Sequence, residues 1–262
     1  MTRFRLVAVD LDGTLLRSDG SVSASTAAVI AELSRSGVRV VPVTARFLDE
    51  LRIVADQAGL TDLAAVSSGA EIHDLATGST VTSWTMPPET VTDIFDDLRA
   101  AVPTISLGWV DALGAHADAE FPVTPFVRRL EPGAPAAPEL PVLKGFAFDT
   151  AAEGTPRDLG GLLAGRATIG FGDARFFDFT TPGVSKLDAL RSICDLHGIA
   201  REEVIAFGDS PNDLPMIRWA GHGVAVANAH RDVVAGADAT ARSCDEDGVA
   251  RYLEALLDVE VS

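Results

Sequence analysis

Residues Phe4–Leu16 read FRLVAVDLDGTLL, an apolar run that goes straight into two aspartates one residue apart and then into Gly13-Thr14. Leu6-Val7-Ala8-Val9 and then Leu11 favour an extended core strand, and the glycine closes a turn behind it. The end of that strand constrains the fold more than any other stretch. Carboxylates withdrawn from water cost several kcal/mol unless a cation or hydrogen-bond donors compensate them. A divalent metal is the simplest compensation. Side chains alternate along an extended segment, so Asp10 and Asp12 are expected on one side, near enough to share a site. One carboxylate can then attack while the other moves protons. An Asp-Gly turn with no chemistry uses the same residues, so the reading depends on partners further along the chain.

Ser23 or Ser25 can cap a helix whose apolar positions Ala27, Ile30 and Leu33 recur at three-residue steps, with Gly37 as its stop. Val38–Val43 is rich in valine and reads as a strand covered on both faces. Strand, helix, strand at this spacing predicts a parallel βαβ unit. That unit delivers Thr44-Ala45-Arg46 to the carboxyl edge of the sheet, where open α/β folds bind ligands. The Thr44 hydroxyl suits a phosphoryl oxygen or a helix N-cap, and the planar fork of Arg46 suits phosphate. Further on, Leu48–Gly59 reads as a helix and Leu63–Val66 as a strand ending in Ser67-Ser68-Gly69-Ala70. Glu71–Asp74 and Thr80–Thr85 read as a hairpin around Ala76-Thr77-Gly78.

From about Pro87 the texture changes. A helix is expected over Glu89–Val102, with Val91, Ile94, Phe95 and Leu98 on one face. Strands are expected over Thr104–Val110, Ala112–Ala119, Val142–Phe148, Ala167–Phe171 and Ala174–Phe179, with a loop at Pro132–Pro141 and a helix near Pro156–Ala164. Hairpin strands with helices between them imply an α+β module with an antiparallel sheet. The chain then returns to the first pattern. Lys186 opens the helix Lys186–His197, where its charge opposes the helix dipole, so something else should hold it. Val204–Phe207 is a core strand ending again in acid, Gly208-Asp209-Ser210-Pro211-Asn212-Asp213. Two carboxylates on a tight loop make a hard oxygen site suited to Mg²⁺. Asn212 or Asp213 also suits the cap of a helix over Asp213–Trp219. The remainder, through Gly223–Val226, Ala229–Val234 and the helix Gly248–Leu257, finishes the sheet.

In this order the four segments Asp10–Thr14, Thr44–Arg46, Lys186 and Gly208–Asp213 resemble the haloacid dehalogenase superfamily, in its Cof-like sugar-phosphatase branch. The resemblance spans nearly the whole chain. It departs at Ala45, where the family usually has Gly; at Ser67-Ser68-Gly69-Ala70, where it has Asn-Gly-Ala; and at Asp245, where it often has Asn. The resemblance implies an α/β fold, a Rossmann-like parallel core of residues 1–84 and 182–262, with an inserted α+β type IIB cap at 85–181 that chooses the substrate. It also implies that Asp10 is the nucleophile and that Asp12 is the acid and base. Mg²⁺ would be held by the carboxylates of Asp10 and Asp209 and the backbone carbonyl of Asp12, with Asp213 supporting. Thr44, the Ala45 N–H, Lys186 and Asn212 would hold the phosphoryl oxygens, and Arg46 would touch substrate. The implied activity is hydrolysis of small phosphomonoesters, foremost sugar phosphates. A phosphotransferase of the same superfamily and a non-catalytic metabolite sensor are the competing readings.

Composition sets the outer bounds. With 262 residues, 47% hydrophobic and 23% charged, the chain has the make-up of a globular protein with a full core and no apolar run to cross a bilayer. Its N-terminus enters the first strand directly, which reads as no signal peptide and a cytoplasmic protein. A formal net charge of −17 argues against nucleic acid or an anionic membrane as partner. The expected partner is a small phosphorylated metabolite, and the expected state a monomer or homodimer. Cys194 and Cys244 have no metal-ligand spacing and read as buried small side chains.

Overall fold

The computed structural model describes residues 4–119, 121, 127–130, 137–149, 160–163, 165–171 and 175–261. They fall into two compact units, Met1–Thr82 with Lys186–Ser262, and Ser83–Ser185.

The first unit begins with β1 (Leu6–Val9), α1 (Ala24–Arg35), β2 (Arg39–Pro42), α2 (Leu48–Ala58) and β3 (Leu63–Val66), followed by β4 (Glu71–Asp74) and β5 (Ser79–Ser83). In the second unit come α3 (Pro88–Ala101), β6 (Ile105–Asp111), β7 (Gly114–Ala117), β8 (Val127–Arg129), β9 (Lys144–Asp149), α4 (Gly160–Leu163), β10 (Thr168–Phe171) and β11 (Phe176–Thr180). The chain re-enters the first unit with α5 (Lys186–His197), β12 (Val204–Gly208), α6 (Leu214–Trp219), β13 (His222–Val226), α7 (Arg231–Gly236), β14 (Ala239–Ala241) and α8 (Gly248–Val261).

A parallel sheet in the order β14-β13-β12-β1-β2 forms the heart of the first unit. β1 lies inside it between β12 and β2 with all four residues buried, which is why it reads as an unbroken apolar run. Val7 and Val9 pack with Ile205, Phe207, Val224 and Val226 against Val29, Ile30 and Leu33 of α1 and Val249, Ala250 and Leu253 of α8. Ile217 of α6 and Val233 of α7 pack with Ala225. Beyond β2, β3 joins through a single parallel bridge between Val43 and Ala65, and it pairs antiparallel with β4. Register then sets the chemistry. Val9 stands opposite Phe207 on one side and Pro42 on the other, so Asp10, Asp209 and Thr44 all emerge at one carboxyl edge.

Ser23 is the residue that caps α1, its hydroxyl accepting from Thr26 N at 3.0 Å. The second unit is a six-stranded sheet, β10-β11-β9-β6-β7-β8, antiparallel except where β7 runs parallel to β8. Val91, Ile94, Phe95 and Leu98 of α3 pack on Ile105, Leu107, Trp109, Ala147, Phe177 and Phe179. A polar lock closes the β6–β7 hairpin: Asp111 accepts from Trp109 Nε1 at 2.9 Å and pairs with His116 Nε2 at 3.2 Å, while the Trp109 and His116 rings stack at 5.1 Å. The five expected strands of this module are all found within two residues of their forecast ends, β7 being shorter by two at each end. Strand β8 carries no alternation to announce it. The loop at Pro132–Pro141 and the helix near Pro156–Ala164 lie in part outside the described residues; α4 is what is seen of the latter. No helix among the described residues is long and apolar enough to cross a membrane.

Candidate active site

Strand β1 stops at Val9, and the backbone does not stay extended through Asp12 as expected. Asp10 opens a wide turn, Leu11–Leu15, in which Leu15 N donates to Asp10 O at 3.2 Å and Leu16 N to Leu11 O at 2.9 Å. Gly13 makes the reversal possible with φ at +75°. The turn buries Leu11 fully and leaves the Asp12 side chain 59% exposed, with its carboxylate against Arg46. Space at Gly13 is as restrictive as its backbone, since a Cβ there would stand 2.6 Å from Asp209 Oδ2.

The Asp10 carboxylate is nearly fully buried and meets Lys186, whose Nζ lies 2.6 Å from Asp10 Oδ1 and 2.7 Å from Asp213 Oδ1. This answers why a lysine sits in the first turn of α5: the two carboxylates hold it against the helix dipole. Asp213 does not cap α6 with its side chain. Instead Oδ2 turns back to accept from Asp209 N at 3.2 Å and Ser210 N at 3.0 Å, a close packing that Gly208 permits because a Cβ there would lie 2.4 Å from Asp213 Cβ. Asp209 in turn accepts from the Thr14 hydroxyl at 3.1 Å, and its backbone carbonyl accepts from His230 N at 2.7 Å. Asn212 accepts from Ser210 Oγ.

Asp10, Asp209 and Asp213 each offer an oxygen within 4.8 Å of the others, while the Asp12 side chain lies outside that group. Three carboxylates, those of Asp10 and Asp213 buried and that of Asp209 half-buried, against one ammonium leave the cluster short of positive charge. Burial pushes the Asp10 carboxyl well up; Lys186 opposes that, and the charges of Asp213 and Asp209 reinforce it. Asp209 is pushed up to about 6 by burial and then by Asp213, against the Thr14 hydrogen bond and Lys186. Burial alone would lower Lys186, but the charges of Asp10 and Asp213 outweigh it and keep the ammonium protonated far above its usual range. A hard divalent cation fits this donor set, since it would supply the missing charge to oxygen ligands alone.

Thr44 is fully buried at the end of β2, though it does not cap α2, which Phe47 precedes. Its Oγ accepts from Arg46 N at 3.1 Å, leaving its O–H to donate. Arg46 forks onto Asp12, with Nε 2.9 Å from Oδ2 and Nη2 2.6 Å from Oδ1. The Asp12 hydrogen bonds and charge raise Arg46 further against the opposing effect of burial. The loop Ser67–Gly69 backs this segment: Ser67 N donates to Arg46 O at 2.7 Å and Ser68 N to Thr44 O at 3.0 Å. Both serines have positive φ, 52° and 59°. Asn at this place in the resembling family is a residue that tolerates that conformation.

Residues that the sequence reading left aside complete the site. Asn228 donates to Gly13 O at 2.7 Å and accepts from Cys244 N at 2.9 Å, tying the Asp12 turn to the C-terminal loop. Arg17 forks onto Asp247, and Asp245 accepts from Ser18 N at 2.8 Å, a bond an Asn oxygen would make equally well. The signal for Asn228 was its place directly beyond an apolar strand. Cys194 and Cys244 are free and buried, and burial pushes the Cys194 thiol up to about 11, so neither is a ready nucleophile.

Comparison with known proteins agrees with this geometry. The model of the haloacid dehalogenase-like hydrolase family matches residues 7–112 and 152–253. Phosphoglycolate phosphatase of Methanopyrus kandleri is 30% identical over 258 residues, covering 97% of this chain and 97% of the relative. The 5-amino-6-(5-phospho-D-ribitylamino)uracil phosphatase YitU of Bacillus subtilis is 28% identical over 275 residues, with 97% of each chain covered. Among solved structures, the haloacid dehalogenase subclass IIB sugar phosphatase BT4131 shares the fold with a TM-score of 0.79 at 21% identity, over 95% of this chain and 98% of that one. The chain belongs to the haloacid dehalogenase-like hydrolase family, as a Cof-like phosphatase.

Proposed function

We propose that the chain is a Mg²⁺-dependent phosphatase of small phosphomonoesters, sugar phosphates foremost, working through an aspartyl-phosphate on Asp10. The observation that carries this reading is the buried cluster in which Lys186 bridges Asp10 and Asp213 with Asp209 alongside. Lys186 lowers the repulsion between the Asp10 carboxylate and an incoming phosphoryl group, and the Thr44 hydroxyl, the Ala45 N–H and Asn212 orient that group. An Asp10 oxygen attacks phosphorus as the ester P–O bond breaks, and Asp12 gives its proton to the departing oxygen. Water then attacks the phosphorus, Asp12 takes the water's proton, and the bond to Asp10 breaks to release phosphate. Asp10, Asp209 and the Asp12 carbonyl would hold Mg²⁺, supported by Asp213; when bound it neutralises charge on the phosphoryl oxygens.

The relatives named above act on small phosphorylated organic molecules, which supports the substrate class. Residues 85–181 are read as the cap that selects among such molecules, and 1–84 with 182–262 as the catalytic core. The test is phosphate release from a panel of sugar phosphates, nucleotides, pyridoxal phosphate and an aryl phosphate, with and without Mg²⁺. Release should require both Mg²⁺ and Asp10, and Asp10→Asn and Asp12→Asn should fold and lose it. Full activity in folded Asp10→Asn overturns the mechanism.

A further inference from the structure

The Arg46 guanidinium meets Asp12 edge to edge, with two parallel hydrogen bonds of 2.9 and 2.6 Å. Such a fork fixes the plane of a carboxylate as well as its place. Among the described residues no other group bonds to the Asp12 side chain, which stands more than half exposed on a turn. Without Arg46, that side chain would be free to rotate about both of its torsions. Arg46 itself is held from behind. Its N–H donates to Thr44 Oγ and its carbonyl accepts from Ser67 N, while Ser67 and Ser68 both keep a left-handed backbone that serine rarely adopts. Strain of this kind persists only where the surroundings enforce it, and it concentrates at sites of function.

We propose that Arg46 is a positioning residue that aims the Asp12 carboxyl group for its proton transfers, and that the strained Ser67-Ser68 turn fixes Arg46 for that task. The inference rests on the phosphatase reading above and departs from the substrate contact first expected of Arg46. The guanidinium edge that would grip a phosphoryl group is already engaged with Asp12. When one Asp12 oxygen carries a proton the other still accepts from Arg46, so a single contact aims the group in both of its states.

Leaving-group chemistry separates this role from substrate binding. A departing sugar alkoxide needs a proton from Asp12, whereas p-nitrophenolate leaves without one. The value of kcat/KM reads only as far as formation of the aspartyl-phosphate, so it isolates the acid step. In Arg46→Gln, kcat/KM for the best sugar phosphate of the panel should fall about 10- to 100-fold, against less than about threefold for p-nitrophenyl phosphate. Arg46→Lys, which keeps the charge and loses the fork, should fall nearly as far on the sugar phosphate. In an Asp12→Asn background, Arg46→Gln should cost nothing more, because the group it aims can no longer carry the proton. Equal losses on the two substrates, a rise in KM at unchanged kcat, or additive losses in the double variant would each overturn the proposal. Parent activity on p-nitrophenyl phosphate that vanishes in Asp10→Asn secures the phosphatase reading in the same experiment, so a failure at Arg46 falls on Arg46 alone. Thermal melts of each variant confirm that the fold is intact.

Discussion

Replacing Lys186 with Met removes the one ammonium from a cluster of three acids while keeping an unbranched side chain of similar length. Its head group is 3% exposed and lies 2.6 and 2.7 Å from carboxylates that are 6% and 0% exposed, so water cannot take its place. Removing one partner of such a pair leaves uncompensated buried charge and costs about 3–5 kcal/mol. Lys186→Met should therefore lose about that much stability at pH 7.5 in the presence of EDTA, read from urea unfolding followed by far-UV circular dichroism.

The sign with pH comes from the carboxyls. Burial already holds Asp10 well above its ordinary range and Asp209 up to about 6. Without Lys186, whose charge opposes the effect of burial, Asp10 favours the protonated form in the folded state still more. A carboxyl raised by folding costs nothing below its unfolded value, and its cost grows as pH climbs to its folded value. At pH 4.5, only slightly above the unfolded value, that cost is limited to about 1 kcal/mol for each group. The stability gap between parent and variant should thus shrink sharply from pH 7.5 to pH 4.5. Saturating Mg²⁺ at pH 7.5 should restore part of it, because a cation held by Asp10 and Asp209 replaces charge that Lys186 supplied. A gap below about 1 kcal/mol at pH 7.5, or one equal at both pH values, would refute the account of Lys186 as the counter-charge of the cluster.

The same cluster yields two further outcomes. Asp209→Asn should gain stability relative to the metal-free parent as pH rises from about 4 to 6 and stay level above, since a carboxyl pushed up to about 6 is a cost that appears over that window; Mg²⁺ should raise the parent's melting temperature and leave the variant's nearly unchanged. Gly13→Ala should destabilise by about 1–3 kcal/mol and shift the midpoint of Mg²⁺ activation upward, because the added Cβ meets both a φ of +75° and the Asp209 carboxylate at 2.6 Å; calorimetry and a Mg²⁺ titration of phosphate release check the two halves.

Much of this site is legible in the sequence because its chemistry is local. Asp10-Leu11-Asp12-Gly13-Thr14 and Gly208–Asp213 each announce a strand tip carrying acid, and adjacent parallel strands bring the two tips together with no further information. Lys186 announces itself by standing where a helix dipole rejects it. What the sequence concealed is the backbone path between such residues. A glycine at position 13 signals a turn, but nothing local says that the turn is five residues wide and brings Asp12 onto a residue 34 positions distant. The contact between Asn228 and Gly13, 215 positions apart, is hidden for the same reason. In the second unit the Lys144–Asp178 ion pair, 3.3 Å apart and almost wholly buried, shows in the sequence as two ordinary charges, because β-strand alternation alone does not tell which face of a sheet is covered.

The features that break local rules are not scattered. A lysine in a first helical turn, two successive serines in the left-handed region, and acids at the tips of apolar strands all belong to the carboxyl edge where β1, β2, β3 and β12 end. Elsewhere in the first unit, apolar periodicity, the Ser23 cap of α1 and the glycine stops after α1 and α2 agree with the structure. In the first unit, strain and buried charge gather at this edge. Physical cost therefore points to this edge independently of any resemblance: the residues that folding alone would not choose are the ones to which the proposed phosphoryl transfer assigns its work.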